Sequence, residues 1–294
     1  MALLLDVVEA GSLSAAARSR GIPLATLSRK ISDLEAHLRA KLLLRTSRTL
    51  TLTDAGRTYI EACRRILADV EESERAAAGE YSAPRGELVI TAPVLFGRLH
   101  VLPAVTEFLR RYRDIDIRMV LSDQVVHLLE DHVDVALRIG RLPDSGMVAI
   151  GLGSTRRVTC ASPHYLAAGG WPSRPSDLSG HRCVSLDSSQ RGWMFSADGT
   201  ELTVPITPRL VVNSSDAAID AAVAGLGIIR VLGYQVAERL ATGQLQLLLE
   251  EFEPTPRPVS LVYAARGLLP IKLRAFLDFA APWLRARLDL VRIR

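Results

Sequence analysis

Between Gly11 and Leu38 the chain reads GSLSAAARSRGIPLATLSRKISDLEAHL, two short helices broken at GIP. The start of the second concentrates groups that bind anions: Thr26, Ser28, Arg29 and Lys30 lie within two turns of Pro23. Two hydroxyls, a guanidinium and an ammonium provide hydrogen-bond donors and positive charge, the equipment for reading base edges and phosphates. Duplex DNA is a partner that suits such a surface, because its charge density attracts a localised basic patch. Arg45 and Arg48 follow in a turn-like RTSR, ahead of alternating Thr and Leu from Thr49 to Thr53, a strand pattern. A hairpin tipped with two arginines would reach phosphates or a minor groove.

A second set of candidates lies in the carboxy-terminal two thirds. Ser214 and Ser215 begin a helix whose free amide groups and positive dipole end could hold a carboxylate or phosphate; an ordinary helix cap is the competing reading. Pro93, Val94, Leu95 and Phe96 follow one strand and Arg138 ends another, so all five would line a cleft at strand ends. An arginine there would favour an anionic effector, unless it serves as a salt bridge instead.

Enzymatic chemistry finds little support. The sequence has no G-x-S-x-G nucleophile turn, no G-x-x-x-x-G-K phosphate loop, no H-E-x-x-H and no G-x-G-x-x-G after a strand. His127 and His132 are five apart and do not share a helical face. Cys63, Cys160 and Cys183 show neither disulfide nor zinc spacing, which fits a reducing compartment. The expectation is a protein that is not an enzyme and needs no cofactor or metal.

The elements that must position these groups are legible in the periodicity. Ser12 can cap a helix whose Leu13, Ala16 and Ala17 make a small apolar face. Gly21 supplies the break, and Pro23 presets the backbone for the next helix. There Leu27, Ile31, Leu34 and Leu38 form a buried spine that turns the polar residues elsewhere. From Arg57 to about Gly79 no proline or internal glycine intervenes, and Ile60, Cys63, Leu67 and Val70 step by three, four and three, the seam of a two-stranded coil or the packed face of a single helix. GEYSAPRG then reads as a hinge. ELVITAP, IDIRMVL, VDVALRI and RRVTCAS are short strands among helical stretches, implying βαβ units and a mostly parallel sheet. RCVSL, a hairpin about the DG of WMFSADGTELTVPI, RLVVN and LGIIRVL form a second set, after which PVSLVYAA and a helix from Pro270 to Leu288 return to the first lobe.

Bulk properties agree. The chain has 294 residues, 48% hydrophobic and 23% charged, with net charge +4; these are ordinary globular values with room for two or three domains. Residues 1 to 65 carry eleven basic and six acidic side chains, +5, more than the whole chain's excess. No apolar run approaches the ~20 residues of a membrane span. Asp6 and Glu9 interrupt the first apolar run, which therefore does not read as a secretory signal. A cytoplasmic location is expected.

The ordered run from VVEAGSLSAAARSRG through IPLATLSRKI, LE and RT to LTDAG resembles the winged helix-turn-helix of LysR-type transcriptional regulators. TAPVLFGR, DVALRIG, ASPHYL and AGLGI are similar to the effector domain of that family, so the resemblance covers nearly the whole chain. It implies an α/β multidomain protein: a winged helix-turn-helix over 1–57, a dimerising linker helix over 58–80, a hinge over 81–86, and over 87–294 a two-lobed, periplasmic-binding-protein-like effector domain. Lobe I would take about 87–160 and 257–290, lobe II about 161–256. The resemblance further implies that Thr26, Ser28, Arg29, Lys30, Arg45 and Arg48 face double-stranded DNA, that a small-molecule effector binds between the lobes, and that the protein forms dimers or tetramers. Three positions depart from the family pattern: Arg20 replaces a leucine, Arg39 a glycine at a helix end, and Gly233 a proline. A small-molecule-binding or interaction protein that does not read DNA is the alternative on these residues.

Overall fold

The computed structural model describes residues 1–45, 50–77, 83–124, 128, 131–144, 146–186, 192–264 and 269–290. The chain divides into two compact units, Met1–Ala83 and Pro84–Arg294.

In the first unit, α1 (Ala2–Glu9), α2 (Leu13–Ser19) and α3 (Leu24–Leu38) pack around Leu4, Val7, Ala16, Ala17, Leu27 and Ile31. The Ser12 hydroxyl accepts from the Ala15 amide at 3.1 Å and caps α2. Arg20, where leucine was expected, makes a two-pronged ion pair from Nε and Nη2 to Asp6 on α1, both at 2.8 Å. A charged fork thus ties α1 to α2.

Strand β1 (Leu43–Arg45) pairs antiparallel with β2 (Leu50–Leu52), and α4 (Asp54–Ala77) follows. The LTDAG run has a local reason. The Thr53 hydroxyl donates to the Lys41 carbonyl at 2.6 Å and accepts from the Gly56 amide at 2.9 Å. A Cβ on Gly56 would lie 2.1 Å from the Leu42 carbonyl oxygen, so only glycine fits there. Along α4, Ile60 packs in the unit's own core and Cys63 is fully buried. Of the four positions expected on the seam, Ile60 and Cys63 are buried, Leu67 is half-buried, and Val70 is exposed beside exposed Ile66. Of the hinge expected over 81–86, residues 81 and 82 lie outside the described residues, and Gly86 already begins the next strand.

The second unit opens with β3 (Gly86–Ala92), one helical turn α5 (Val94–Phe96), a π-turn (Gly97–Val101), α6 (Leu102–Arg111), β4 (Ile115–Leu121), β5 (Val135–Ile139) and β6 (Met147–Thr155). Next come β7 (Arg157–Ala161), α7 (Pro163–Gly169), β8 (Cys183–Ser185), β9 (Gly192–Ala197), β10 (Thr200–Pro205), β11 (Pro208–Val211), α8 (Ser215–Val223), β12 (Ile228–Leu232), α9 (Gly233–Ala241) and β13 (Gln246–Leu248). A 3₁₀ turn (Glu250–Phe252), β14 (Arg257–Ala264) and α10 (Ile271–Leu290) complete it.

Two five-stranded sheets result among the described residues, in the orders β4-β3-β5-β14-β6 and β11-β8-β12-β7-β13. Two expectations change. First, β7 pairs with β12 and β13, so RRVTCAS belongs to the second lobe and the chain crosses over at Arg156 rather than at 160. Second, the sheets are mixed rather than mostly parallel: β3 runs parallel to β4 and β5, and β8 to β11 and β12, while β14 and β7 run antiparallel to their neighbours. The strands on which the chain arrives from the other lobe, β7 and β14, run against the βαβ strands of their sheets, and those on which it leaves, β6 and β13, run with them. The hairpin of β9 and β10 turns at Asp198 and Gly199, both at positive φ, as a two-residue turn requires.

Arg39 ends α3 at φ 51°, ψ 32°, the left-handed conformation that disfavours a Cβ. Its side chain is exposed. Arg39→Gly should raise the unfolding free energy of this unit by about 1 kcal/mol, read as a higher urea midpoint; an unchanged midpoint would remove the strain argument.

Candidate nucleic-acid interface and effector cleft

Helix α3 turns about 100° per residue, which separates the four polar candidates. Thr26, Arg29 and Lys30 fall on the side away from the buried stripe of Leu27, Ile31 and Glu35, with Arg29 and Lys30 exposed. Ser28 sits on the flank of that stripe and is half-buried. Leu24, which the sequence pattern does not mark, is 48% exposed in the first turn, an apolar contact of the kind that meets a thymine methyl. That turn holds no acidic residue and no side-chain cap, so its positive dipole end is uncompensated. Arg45 closes β1 at the root of the wing, and Arg48 lies outside the described residues.

Glu35 fixes the relation between helix and wing. Buried to 5% exposure, its Oε1 accepts from the amides of Leu42 at 2.9 Å and Leu43 at 3.1 Å, and its Oε2 accepts from Lys41 Nζ at 2.8 Å. Burial alone would raise its pKa. The Lys41 bond, the two backbone amides and the Lys41 charge outweigh burial and hold the carboxyl below its ordinary value. The sequence showed this residue only as part of an LE pair.

In the second unit, the carboxyl ends of β3 and β5 lead to the residues expected at a cleft. Pro93 is half-buried, and exposed Val94 donates its amide to Asp123 Oδ1 at 3.0 Å. Leu95 and Phe96 are corrected: both turn inward as core residues at 4% and 0% exposure. The Phe96 ring meets Tyr234 of α9 edge-on at 5.0 Å and His100 at 4.8 Å, so it joins the lobes. Arg98, on the π-turn, pairs with Asp216 of α8 at 2.9 Å and makes a second lobe-to-lobe tie. Ser214 caps α8 through a long 3.4 Å bond from the Ala217 amide, the routine role weighed above. Ser215 Oγ accepts from Gln235 Nε2 at 3.2 Å. Arg138, on β5 opposite Ser260, is half-buried, and burial lowers its pKa. No group of His, Cys, Asp and Glu among the described residues is arranged to hold a metal.

A winged helix-turn-helix joined to a two-lobed α/β unit is the architecture of a ligand-responsive, DNA-binding regulator. Residues 1–57 match the model of the lysR-family bacterial regulatory helix-turn-helix protein, and residues 82–285 match that of the LysR substrate binding domain. A transcriptional regulator of Xanthomonas campestris pv. campestris is 36% identical over 283 residues, 94% of this chain and 82% of that one. A transcriptional repressor of Pseudomonas aeruginosa is 33% identical, with 95% and 89% covered. Among solved structures, the LysR-type regulator CrgA of Neisseria meningitidis matches at 31% identity and TM-score 0.63 over 96% of this chain and 97% of its own. The chain belongs to the LysR family of transcriptional regulators and works as a DNA-binding regulator with an effector-binding domain.

Glu35→Ala leaves two buried amides and Lys41 unpartnered and should cost roughly 2–4 kcal/mol, read by denaturant unfolding; a cost under about 1 kcal/mol would mean that the clasp is replaceable. His100 gives the pH prediction. Burial, with a smaller contribution from Arg287, lowers its pKa to about 4. Unfolding restores a value near 6.5, so below that pH the unfolded chain gains a proton that the folded one refuses. The stability tied to His100 is therefore full above about pH 6.5 and falls, by roughly 3 kcal/mol in all, as pH drops to about 4. His100→Leu should flatten that part of the stability profile.

Proposed function

We propose that this regulator reads its operator sequence-specifically, with Arg29, Lys30 and Thr26 in the major groove, Ser28 at the flank, and Arg45 and Arg48 of the wing on the adjacent backbone. The observation that carries the reading is the exposed basic face of α3 on a helix held by the Glu35 clasp. Rigid support of this kind is what base readout demands.

Exposed Ile66 and Val70 on α4 support pairing with a second copy, and dimers would assemble further into tetramers that span a longer site. The effector would be a small anion held between the lobes, with Pro93, Val94, Arg138, Ser214 and Ser215 at the cleft and Leu95 and Phe96 behind it. Binding would shift the population between two lobe angles, and hence the spacing or bend imposed on DNA. The protein acts by binding, not by catalysis, and its DNA target puts it in the cytoplasm.

Binding is tested on the DNA upstream of its own coding sequence, against an unrelated duplex of equal length and across a salt series. Specific recognition predicts a preference of 10³ or more. Arg29→Ala should lose about 1–3 kcal/mol of that operator affinity without moving the thermal midpoint, since the side chain is exposed. Equal affinity for both duplexes would return the basic face to non-specific binding.

A further inference from the structure

On the second lobe, two arginines outside the expected cleft keep donors that no acceptor among the described residues meets. Arg230, in the middle of β12, is 6% exposed, and its Nε and Nη2 are buried without a hydrogen-bond partner. Arg157, at the start of β7, leaves its Nε in the same condition. In the β12–β7 register Arg230 faces Thr159, which makes Arg157 its diagonal neighbour on the same face of the sheet. Phe195 of β9 lies under the guanidinium, with Arg230 Cζ 4.5 Å from the ring centroid. That contact satisfies the flat face of the cation but none of its in-plane N–H groups.

The two orphaned nitrogens of Arg230 are those of one edge. The same Nε/Nη2 edge binds carboxylates elsewhere in this protein: Arg20 takes both oxygens of Asp6 at 2.8 Å, and Arg156 takes both oxygens of Glu253 at 2.7 and 2.9 Å. Two parallel donors at that spacing match two oxygens of a carboxylate or a phosphate, and the partners that this edge takes in Arg20 and Arg156 are carboxylates. Glu253, whose charge acts on Arg230, is held by Arg156, as is Glu250 at 2.9 Å. Burial and the like charges of Arg157 and Arg257 push the Arg230 pKa down to about 9, with the charge of Glu253 opposing them.

We propose that Arg230 and Arg157 seat a small carboxylic acid on the second lobe, its carboxylate lying in the guanidinium plane of Arg230 and taking a third hydrogen bond from Arg157. The seat is charge-complementary to a monoanion, and Phe195 favours a ligand whose remainder is planar or apolar. Because the donors do not reach solvent, entry requires movement of the β9–β10 hairpin that covers them. The regulatory meaning of the site rests on the effector-binding reading; its chemistry does not.

The test uses the full-length protein and its thermal midpoint in sodium acetate, sodium benzoate, sodium phosphate or sodium chloride at equal ionic strength, with benzamide as the uncharged match to benzoate. The expected result is a saturable rise of about 3 °C in acetate and benzoate over chloride, no rise in benzamide, and loss of the rise in Arg230→Met. Methionine keeps the packing on Phe195, and Arg157→Gln, which should weaken the response several-fold, serves if that variant does not fold. No carboxylate-dependent rise, an undiminished rise in both variants, or a larger rise in phosphate overturns the proposal. Operator binding measured on the same samples separates the two readings: intact operator binding without a carboxylate effect removes the seat alone, and a carboxylate effect without operator binding removes the DNA reading alone.

Discussion

The amino-terminal unit depends on one buried carboxylate. A helix that reads bases must be held from behind, because every residue on its outer face is committed to the partner. Glu35 supplies that hold from the inner stripe of α3. It takes the amides of Leu42 and Leu43 and the Lys41 ammonium, so that the helix and the strand entering the wing share a single acceptor. A neutral side chain of the same size would leave these donors unmet in the core, which costs more than the bonds themselves contribute. Thr53 and Gly56 close the other side of the same loop, the first by bridging it and the second by making room for a carbonyl. The basic face is thus exposed because the acidic face is not.

The carboxy-terminal unit solves a different problem, that of joining two sheets while leaving a boundary between them. Its main apolar cluster runs through both lobes, from Leu88, Ile90 and Phe108 to Ile229, Val231 and Tyr234. A second cluster, including Trp193, Phe195 and Ile228, belongs to the far face of the second sheet. Phe96 and Arg98, neighbours on the helix after β3, serve the boundary in two ways, one by an aromatic edge and one by an ion pair. The π-turn that carries Arg98 and His100 is a local widening of the helix, a feature often found where a helix does more than pack.

Much of this was legible in one dimension. Spacing gave the spine of α3, the turn of the β9–β10 hairpin and the order of most strands, because these follow from local periodicity and turn chemistry. What escaped were features set by partners distant in sequence. The inward turn of Leu95 and Phe96 depends on Tyr234, and the placement of β7 in the second sheet depends on β12 and β13. Burial of Cys63 reflects tertiary packing that a heptad count does not record. The special weight of Glu35, Arg157 and Arg230 is also invisible to pattern, since a charged residue in a sequence does not announce whether it is buried.

The two passages of the chain between lobes are laced to each other. One is Arg156, between β6 and β7; the other is the segment from the 3₁₀ turn to β14, which includes Glu253. The two-pronged bond from Arg156 to Glu253, reinforced by Glu250, fastens the passages side by side. A body hung on two independent strings can twist and slide, whereas one hung on two strings knotted together swings mainly about a single axis. The lobes of this regulator are therefore joined at one paired crossing rather than at two separate ones.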